Sequence, residues 1–187
     1  KLTIIVPVYF NEKSLEPLFQ EIQTVEKELL KKEVSLELIF VNDGSKDNSL
    51  SILKELNNND SKVKIISLSR NFGQMAAILA GWSYANGDVV INMAADLQDP
   101  PEQCVEMLKE WENGNDIVVS YRKSHKTSLR KKISSRLFYK FLLPNVPPGG
   151  FDFTLIDKKV LAYINNLKER NRFYQYDILW AGYNLKF

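Results

Sequence analysis

Apolar residues along the first 120 positions form short runs that alternate with segments of helical periodicity. The runs are rich in β-branched residues, which is typical of strands buried on both faces of a parallel sheet. They lie at residues 2–8, 36–41, 63–68, 88–93 and 116–120. Because a helical pattern follows each of the first four runs, the sequence predicts right-handed βαβ units. The expected fold is α/β: a Rossmann-like, mostly parallel sheet with helices on both faces.

Four helices are predicted between these strands from apolar residues at three- and four-residue steps. The first follows Ser14, the second starts at Asp47 or Asn48, the third spans residues 74–85, and the fourth covers residues 100–111. Ser14 is a residue type that can cap a helix, and the fourth helix opens on two prolines, which are tolerated in a first turn.

Composition narrows the class of protein. The 187 residues are 44% hydrophobic, enough for one domain with a substantial core. Cys104 and His125 are the single cysteine and the single histidine, which excludes an internal disulfide, a zinc site of Cys and His ligands and a Ser-His-Asp triad. These features favour a reducing, cytoplasmic setting, and no apolar run is long enough to span a membrane.

The formal charge of +2 hides a basic segment. Residues 122–151 contain eight lysines or arginines and no acidic residue. Within this segment, residues 122–143 predict a helix with one apolar face and a basic remainder. Two interpretations stay open: a surface for an anionic bilayer or phosphate-bearing partner, and an ordinary amphipathic helix that packs on the core.

Ligands of such sheets bind at the carboxyl ends of the strands, where loops begin at Tyr9, Asn42, Ser69 and Ala94. The first loop lacks the glycine-rich turn of a dinucleotide-binding fold, and no phosphate-binding loop with its lysine is present. A bound nucleotide therefore needs a divalent cation. Asp96 and Gln98 are two residues apart, so an extended backbone would point both side chains toward one cation. In the competing interpretation this loop is a helix start capped by Asp99, and both roles can coexist.

Five motifs, in order, resemble the family 2 glycosyltransferases that act on polyprenyl phosphate, which include bacterial undecaprenyl-phosphate glucosyltransferases and N-acetylglucosaminyltransferases and dolichyl-phosphate mannose synthase. The motifs are Pro7–Tyr9, Val41–Ser45, Ser69–Gly73, Ala95–Glu102 and Gly149–Phe153. The resemblance covers nearly the whole chain. It implies a GT-A fold forming one catalytic domain over residues 1–187, a nucleotide-sugar donor, and Mg²⁺ or Mn²⁺ as cofactor.

The resemblance also implies roles for individual residues. Those expected to line the nucleoside pocket are Pro7, Tyr9, Glu12 and Asp43. Asp43 would accept hydrogen bonds from the base or ribose; its competing interpretation is an Asx-turn residue, since Asn-Asp-Gly-Ser is good turn chemistry. Asp96 and Gln98 match metal ligands on the donor diphosphate. Positions that bind the acceptor phosphate match Arg122, Arg130 and Ser134, and Asp152 matches an acidic residue near the reacting centre.

Two departures from the family pattern matter. Ala94 stands where the family has the first aspartate of its Asp-x-Asp-x-Gln metal motif, so one negatively charged ligand is missing. This predicts an inactive or weakened chain, explained either by an Asp-to-Ala substitution made to stop turnover or by a naturally inactive homologue. Phe10-Asn11-Glu12 also replaces the usual Asn-Glu-Glu, which weakens the role assigned to Glu12.

The expected function is inverting transfer of a sugar from UDP-glucose or UDP-N-acetylglucosamine to undecaprenyl or another polyprenyl phosphate. The expected location is the cytoplasmic face of a bacterial membrane, with an anchoring region that is absent from these residues. Whether the chain forms a homo-oligomer stays open. No nucleic-acid partner is expected, because the aromatic residues of the basic segment follow helical spacing. Two alternatives remain: a non-catalytic module that binds nucleotide sugar or lipid phosphate, and a family 2 transferase that uses a saccharide acceptor.

Overall fold

A computed structural model describes residues 1–120, 151, 153–168 and 173–187. The predictions for Arg122, Arg130, Ser134, Asp152 and the basic segment 122–143 lie outside the described residues.

The described strands form a seven-stranded mixed sheet. They are β1 (Leu2–Val8), β2 (Leu36–Asn42), β3 (Val63–Ser67), β4 (Val89–Asn92), β5 (Ile117–Val119), β6 (Thr154–Asp157) and β7 (Leu185–Lys186). Their order in the sheet is β3-β2-β1-β4-β6-β5-β7. Strands β1 to β4 are mutually parallel, as predicted, and β6 runs antiparallel between β4 and β5. Neither β6 nor β7 was predicted, because β6 has only two consecutive apolar residues and β7 only one.

Helices cover both faces of this sheet. They are α1 (Leu15–Lys31), α2 (Ser49–Asn59), α3 (Gln74–Tyr84), α4 (Gln103–Glu112), α5 (Lys158–Asn165) and α6 (Tyr174–Trp180). Bounds predicted for β1 to β5 and for α3 differ from these by at most one residue at either end. The fourth helix begins at Gln103 rather than Pro100, because the two prolines belong to the turn before it.

Two apolar clusters lie on opposite faces of the sheet. Helices α1, α2 and α4 pack on the face that carries Ile4, Val6 and Phe40. Helices α3, α5 and α6 pack on the other face, around Ile5 and Trp82. Every residue of β1 except Pro7 is buried, which explains its continuous apolar run. The predicted α/β architecture, a mostly parallel sheet with helices on both faces, is therefore confirmed.

A buried carboxylate ties together the opposite, amino-terminal edge of the sheet. Glu37 on β2 is 2% exposed. It accepts hydrogen bonds from Thr3 Oγ1 at 2.7 Å, from Lys64 Nζ at 2.6 Å and from the Asn86 backbone amide at 2.9 Å. Burial alone would raise the pKa of Glu37, but these bonds and that from Lys1 lower it to about 2. The cluster therefore links β1, β2, β3 and the loop before β4.

Among the described residues, no helix combines the length and the apolar character needed to cross a membrane.

Candidate active site

A cleft of about 270 Å³ opens at the carboxyl ends of β1, β2 and β4. Its wall contains residues from all four loops that follow the parallel strands. The lining residues are Pro7, Val8, Tyr9, Asn11, Asp43, Asn71, Gln74, Ala94, Ala95 and Asp96. Four residues expected at the donor site, Pro7, Tyr9, Asp43 and Asp96, thus line one cleft, and Ala94 lies beside Asp96.

The loop after β1 is held in a turn that exposes two aromatic rings. The Tyr9 amide donates to Asn11 Oδ1 at 2.8 Å, and the Phe10 amide donates to Ser45 Oγ at 3.2 Å. Phe10 has a φ of 56°, a left-handed conformation that is rare outside glycine. The rings of Tyr9 and Phe10 pack edge to face with centroids 4.6 Å apart, and about half of each side chain is exposed. Tyr9 therefore presents an aromatic surface at the cleft.

Glu12 lies outside the lining of the cleft. Its carboxylate accepts a hydrogen bond from the Asn48 amide at 2.9 Å, and its own amide donates to Asp47 Oδ2 at 3.2 Å. Burial, the largest single influence, raises the pKa of Asp47, but hydrogen bonds from Ser49 and Glu12 hold it below its usual value. Glu12 and Asp47 thus join the β1 loop to the start of α2, and the structure does not bring Glu12 to the expected nucleoside pocket.

Asp43 is 2% exposed, although it lines the cleft. Its Oδ1 accepts from the Phe72 amide at 2.7 Å, and its Oδ2 accepts from the Gly73 amide at 2.9 Å. Within the Asn-Asp-Gly-Ser turn the side-chain bond is made by Asn42, whose Oδ1 accepts from the Ser45 amide, three residues on, at 3.2 Å. The Asx-turn interpretation of Asp43 is therefore wrong, because both Asp43 oxygens accept from amides of the loop before α3.

Gly44 permits this approach of two loops. A Cβ atom at Gly44 would lie 2.5 Å from the carbonyl carbon of Arg70 and 2.7 Å from the Asn71 nitrogen. The φ of Gly44 is +67°, which also favours glycine. Within the loop before α3, the Arg70 guanidinium lies 4.3 Å from the centre of the Phe72 ring. The loop before α3 is thus packed against Gly44 and braced by a contact between two of its own side chains.

The loop after β4 does not have the extended backbone expected between Asp96 and Gln98. Leu97 adopts a φ of 61°, and Asp96 Oδ1 accepts from the Gln98 amide at 3.1 Å. The hydrogen bond between the Asp96 side chain and the Gln98 amide therefore closes a turn in place of the expected extended backbone. The expectation that an extended backbone points both side chains the same way is therefore wrong. Asp96 lines the cleft, whereas Gln98 is exposed but is not among the lining residues.

Two further contacts shape this loop. Asp99 Oδ2 accepts from the Ala94 amide at 3.2 Å, and Ser14 Oγ donates to the Ala95 carbonyl at 2.6 Å. Ser14 lies directly before α1 but makes no side-chain cap bond, so it does not cap the helix as predicted. The N-cap position of α4 is held by Glu102 rather than by Asp99. Both side chains instead fix the backbone around Ala94.

The residues in this loop could hold a divalent cation only if a bound ligand supplied further oxygen atoms, because the protein offers few ligands of its own. No group of three His, Cys, Asp or Glu side chains in the described ranges could hold a metal ion. Asp96 supplies one carboxylate and Gln98 one amide oxygen, while Ala94 offers only a methyl group. Magnesium is commonly bound by one or two carboxylates together with substrate phosphates and waters. The donor set therefore suits a cation completed by a diphosphate.

Asn71 and Gln74 are cleft residues that the sequence analysis did not select. The loop beginning at Ser69 was among the four expected to meet a ligand, and Asn71 lies within one of the five motifs. Their carboxamides carry no charge and lie outside the predicted metal motif, so the sequence pattern assigned them no role. Polar character at a strand's carboxyl end was the signal that could have identified them.

A family model described as "Glycosyl transferase family 2" matches residues 3–174. An uncharacterised glycosyltransferase of Synechocystis is 40% identical over 100% of this chain and 59% of its own length. A bactoprenol glucosyl transferase of Shigella phage SfV is 37% identical over 97% of this chain and 60% of its own length. The chain thus spans about three-fifths of the curated relatives that it matches.

Solved structures share the fold at low sequence identity. A mannosyltransferase of Pyrobaculum calidifontis in complex with GDP-Man and Mn²⁺ matches with a TM-score of 0.66 and 16% identity. The match covers 99% of this chain and 53% of the mannosyltransferase chain. TarS of S. aureus in complex with UDP-GlcNAc matches with a TM-score of 0.64 and 16% identity. The match covers 99% of this chain and 55% of the TarS chain.

Proposed function

The chain belongs to glycosyl transferase family 2, and on that premise we propose that it transfers a sugar from a nucleotide-sugar donor to polyprenyl phosphate. The observation that carries this proposal is the cleft in which Pro7, Tyr9, Asp43 and Asp96 meet at the carboxyl edge of β1, β2 and β4. The choice of acceptor is supported by relatives named bactoprenol glucosyl transferase, which are 37% identical over 97% of the chain.

The strand order gives the donor a direction in the cleft. Asp96 follows β4, whereas Asp43 follows β2, and β1 lies between them in the sheet. Neighbouring strands are about 4.8 Å apart, so the two ends of the cleft are separated by roughly 10 Å, comparable to an extended nucleoside diphosphate. We place the diphosphate at Asp96 and the nucleoside near Pro7, Tyr9 and Asp43. UDP-glucose or UDP-N-acetylglucosamine is the proposed donor, in keeping with UDP-GlcNAc bound to the similar fold of TarS.

Asp96 and Gln98 would hold Mg²⁺ or Mn²⁺ together with oxygens of the donor diphosphate. When bound, such a cation neutralises charge that develops on the departing nucleoside diphosphate. A mannosyltransferase with this fold binds GDP-Man with Mn²⁺.

The proposed reaction needs little proton transfer. A phosphate monoester is already anionic at pH 7, so its oxygen can form the bond to the anomeric carbon directly. The bond from that carbon to the diphosphate oxygen breaks at the same time, and the nucleoside diphosphate leaves with the electron pair. Attack opposite the leaving group inverts the anomeric centre. The protein must chiefly bring two anions together in line.

Acceptor binding is assigned to residues outside the described ranges. Arg122, Arg130 and Ser134 are proposed to bind the acceptor phosphate, for which the planar guanidinium is well shaped. Asp152 is proposed to orient the sugar or the acceptor. The basic segment 122–143 would place these groups at an anionic membrane surface on its cytoplasmic side.

Restoring the missing carboxylate tests the proposal. Ala94→Asp should raise the rate of sugar transfer to polyprenyl phosphate by about 100-fold, because it adds a charged ligand at the leaving group. Transfer of radiolabelled sugar into the organic phase measures this rate. Ala94→Asn is the matched control: it has nearly the same shape without the charge, and it should give little gain.

The possible results separate the alternatives. If Ala94→Asp transfers sugar to a saccharide but not to polyprenyl phosphate, the acceptor assignment is wrong. If it transfers to neither acceptor while nucleotide sugar still binds, the chain is a non-catalytic binding module, and the replacement at Ala94 is natural to it.

A further inference from the structure

Two buried side chains at the start of α6 converge on a single backbone carbonyl. Tyr174 and Gln175 are both buried, although each carries a polar group at its end. The Tyr174 hydroxyl donates to the Phe151 carbonyl oxygen at 3.3 Å, and Gln175 Nε2 donates to the same oxygen. That carbonyl belongs to the peptide group that joins Phe151 to Asp152. Helix α6 therefore holds the backbone immediately before Asp152.

The residue on the other side of Asp152 is anchored as well. The Phe153 carbonyl accepts a hydrogen bond from the Ser120 amide at 3.0 Å. The side chains of Phe151 and Phe153 are both buried, and they belong to the apolar clusters on opposite faces of the sheet. Neither of them is among the residues that line the cleft. Both neighbours of Asp152 are thus held by contacts of the core.

An aromatic contact joins Tyr174 to the end of β4, which leads into the proposed cation loop. The rings of Tyr174 and Trp82 pack edge to face with centroids 5.5 Å apart. Trp82 Nε1 donates to Asn92 Oδ1 at 2.8 Å, and Asn92 is the last residue of β4. Asn92 in turn pairs in the sheet with Thr154, two residues after Asp152. One buried set of contacts therefore reaches the loop after β4 and the backbone beside Asp152.

Core packing by itself does not require polar side chains at these two positions of α6. Glutamine is seldom buried, and a buried donor without a partner is costly. Apolar side chains of the same shape would fill the space, and replacing both partners of a buried hydrogen bond by such groups can be nearly neutral for stability. A hydroxyl and a carboxamide that donate to one carbonyl are better explained by a need to hold that carbonyl in place.

We propose that Tyr174 and Gln175 are positioning residues for sugar transfer, which act on Asp152 through the Phe151 carbonyl. The inference rests on the proposed function, in which Asp152 orients the sugar or the acceptor. Neither Tyr174 nor Gln175 lines the cleft, so neither is expected to contact the donor.

Isosteric substitutions test this assignment in the Ala94→Asp form, which is expected to be active. Tyr174→Phe keeps the ring that packs on Trp82 and removes the hydroxyl, and Gln175→Met keeps the length of the side chain and removes the amide donor. Together they should lower kcat about 30-fold and change KM for the nucleotide sugar less than about twofold, because a displaced Asp152 alters the reacting geometry rather than donor binding. Steady-state transfer of radiolabelled sugar to polyprenyl phosphate measures both constants.

An unchanged kcat, or a rise in KM that accounts for the whole loss of activity, would overturn the proposal. If the double variant fails to fold, Tyr174→Phe alone should still lower kcat about fivefold, since it removes one of the two donors to the carbonyl.

A double-mutant cycle separates positioning from a general loss of structure. In an Asp152→Asn background the same two substitutions should lower kcat less than about twofold further, because the group they position is already altered. A further loss of about 30-fold in that background would show that they act independently of Asp152 and would refute the assignment.

Hydrogen exchange followed by mass spectrometry supplies a readout that does not depend on activity. In the double variant, exchange of the amides at residues 153–155 should become about tenfold faster, whereas exchange in β1 should not change. Unchanged exchange at residues 153–155 would show that the two donors do not hold this backbone.

Two residues of the same apolar cluster provide matched controls. Tyr163→Phe also removes a hydroxyl from a ring that packs edge to face, here against Tyr183. Asn165→Ala removes the hydrogen bond from Asn165 Nδ2 to the Trp82 carbonyl at 3.2 Å. Both variants should leave kcat unchanged, although the second should lower stability. A loss of kcat in either control equal to that of the double variant would contradict a specific role for the Phe151 carbonyl.

Failure of the inference is distinguishable from failure of the proposed function. Absence of transfer to polyprenyl phosphate by Ala94→Asp itself would remove the proposed function and the inference with it. Transfer by Ala94→Asp that persists at the same kcat after Tyr174→Phe and Gln175→Met would remove the inference alone.

Discussion

At the scale of single residues, unusual backbone conformations shape both ends of the cleft. Phe10 and Leu97 have φ values of 56° and 61° and lie in the loops after β1 and β4. Gly44, in the loop after β2, has a φ of +67° and also faces backbone at short distance. Strain of this kind persists only where surrounding contacts enforce it. The three loops are therefore held in place by side-chain bonds such as those of Asn11, Ser45 and Asp99.

Gly44→Ala should lower the free energy of unfolding by about 2 to 5 kcal/mol, because strain at positive φ adds to overlap with the Arg70 and Asn71 backbone. Urea unfolding followed by circular dichroism measures this loss. Gly114→Ala is the control: Gly114 has a φ of +95°, but nothing lies within 4 Å of its added Cβ. It should cost about 1 kcal/mol. Equal losses for both variants would show that the close approach at Gly44 contributes nothing.

At the scale of elements, the sheet is secured at its two edges by different chemistry. The carboxyl edge carries the cleft and its polar loops. The amino-terminal edge carries Glu37, which bonds to groups from β1, β3 and the Asn86 loop. A buried carboxylate is tolerated there because its oxygens meet two lysines, a hydroxyl and an amide. This arrangement ties parallel strands together at a distance from the proposed chemistry.

Glu37→Gln should destabilise the fold by about 2 kcal/mol at pH 7, since it removes charge-assisted hydrogen bonds. The folded-state pKa of Glu37 is lowered from 4.5 to about 2, so its contribution is present above pH 4.5 and is lost as pH falls toward 2. Thermal unfolding across this range should show the two melting temperatures converging in acid.

Glu28→Gln is the comparison for this prediction, because Glu28 pairs with Lys31 on an exposed helix surface. It should change stability by well under 1 kcal/mol. A melting-temperature difference for Glu37→Gln that stays constant from pH 7 to pH 2 would mean that its charge is irrelevant to stability.

At the scale of the whole molecule, charge is segregated along the chain. Eight lysines and arginines and no acidic residue lie between residues 122 and 151, although the total formal charge is only +2. The remainder of the chain is therefore net acidic. In the proposed function the basic segment would bind anionic lipid, whereas the net acidic remainder would be repelled by it.

Charge reversal in the basic segment should weaken membrane binding. Lys131→Glu combined with Lys132→Glu should reduce the partition coefficient for anionic liposomes by tenfold or more, given roughly 1 kcal/mol per basic residue near the surface. Co-sedimentation with vesicles measures the loss. Lys31→Glu combined with Lys32→Glu, at the end of α1, changes the net charge equally and should have a smaller effect. Equal effects of the two pairs would indicate attraction by net charge alone.

Much of the fold could be predicted from local pattern. Strands β1 to β5 and the bounds of α3 follow from apolar runs and periodicity, because burial on both faces of a parallel sheet leaves a continuous signal in a few adjacent residues. The position of the cleft followed as well, since strand order in βαβ units directs loops to one edge. Strands β6 and β7 give no such signal, because β6 has only two consecutive apolar residues, Leu155 and Ile156, and β7 has only Leu185.

What the sequence alone determined was therefore the alternation of strands and helices, the family motifs and the loops that meet at the cleft. Tertiary structure decided which polar groups within those loops bond to each other. The amides that Asp43 accepts from, those of Phe72 and Gly73, lie 29 and 30 positions away along the chain. The Asn48 amide, which donates to Glu12, lies 36 positions away. Such partners leave no periodic trace, because they are selected by the distance between strands after folding and not by neighbours along the chain.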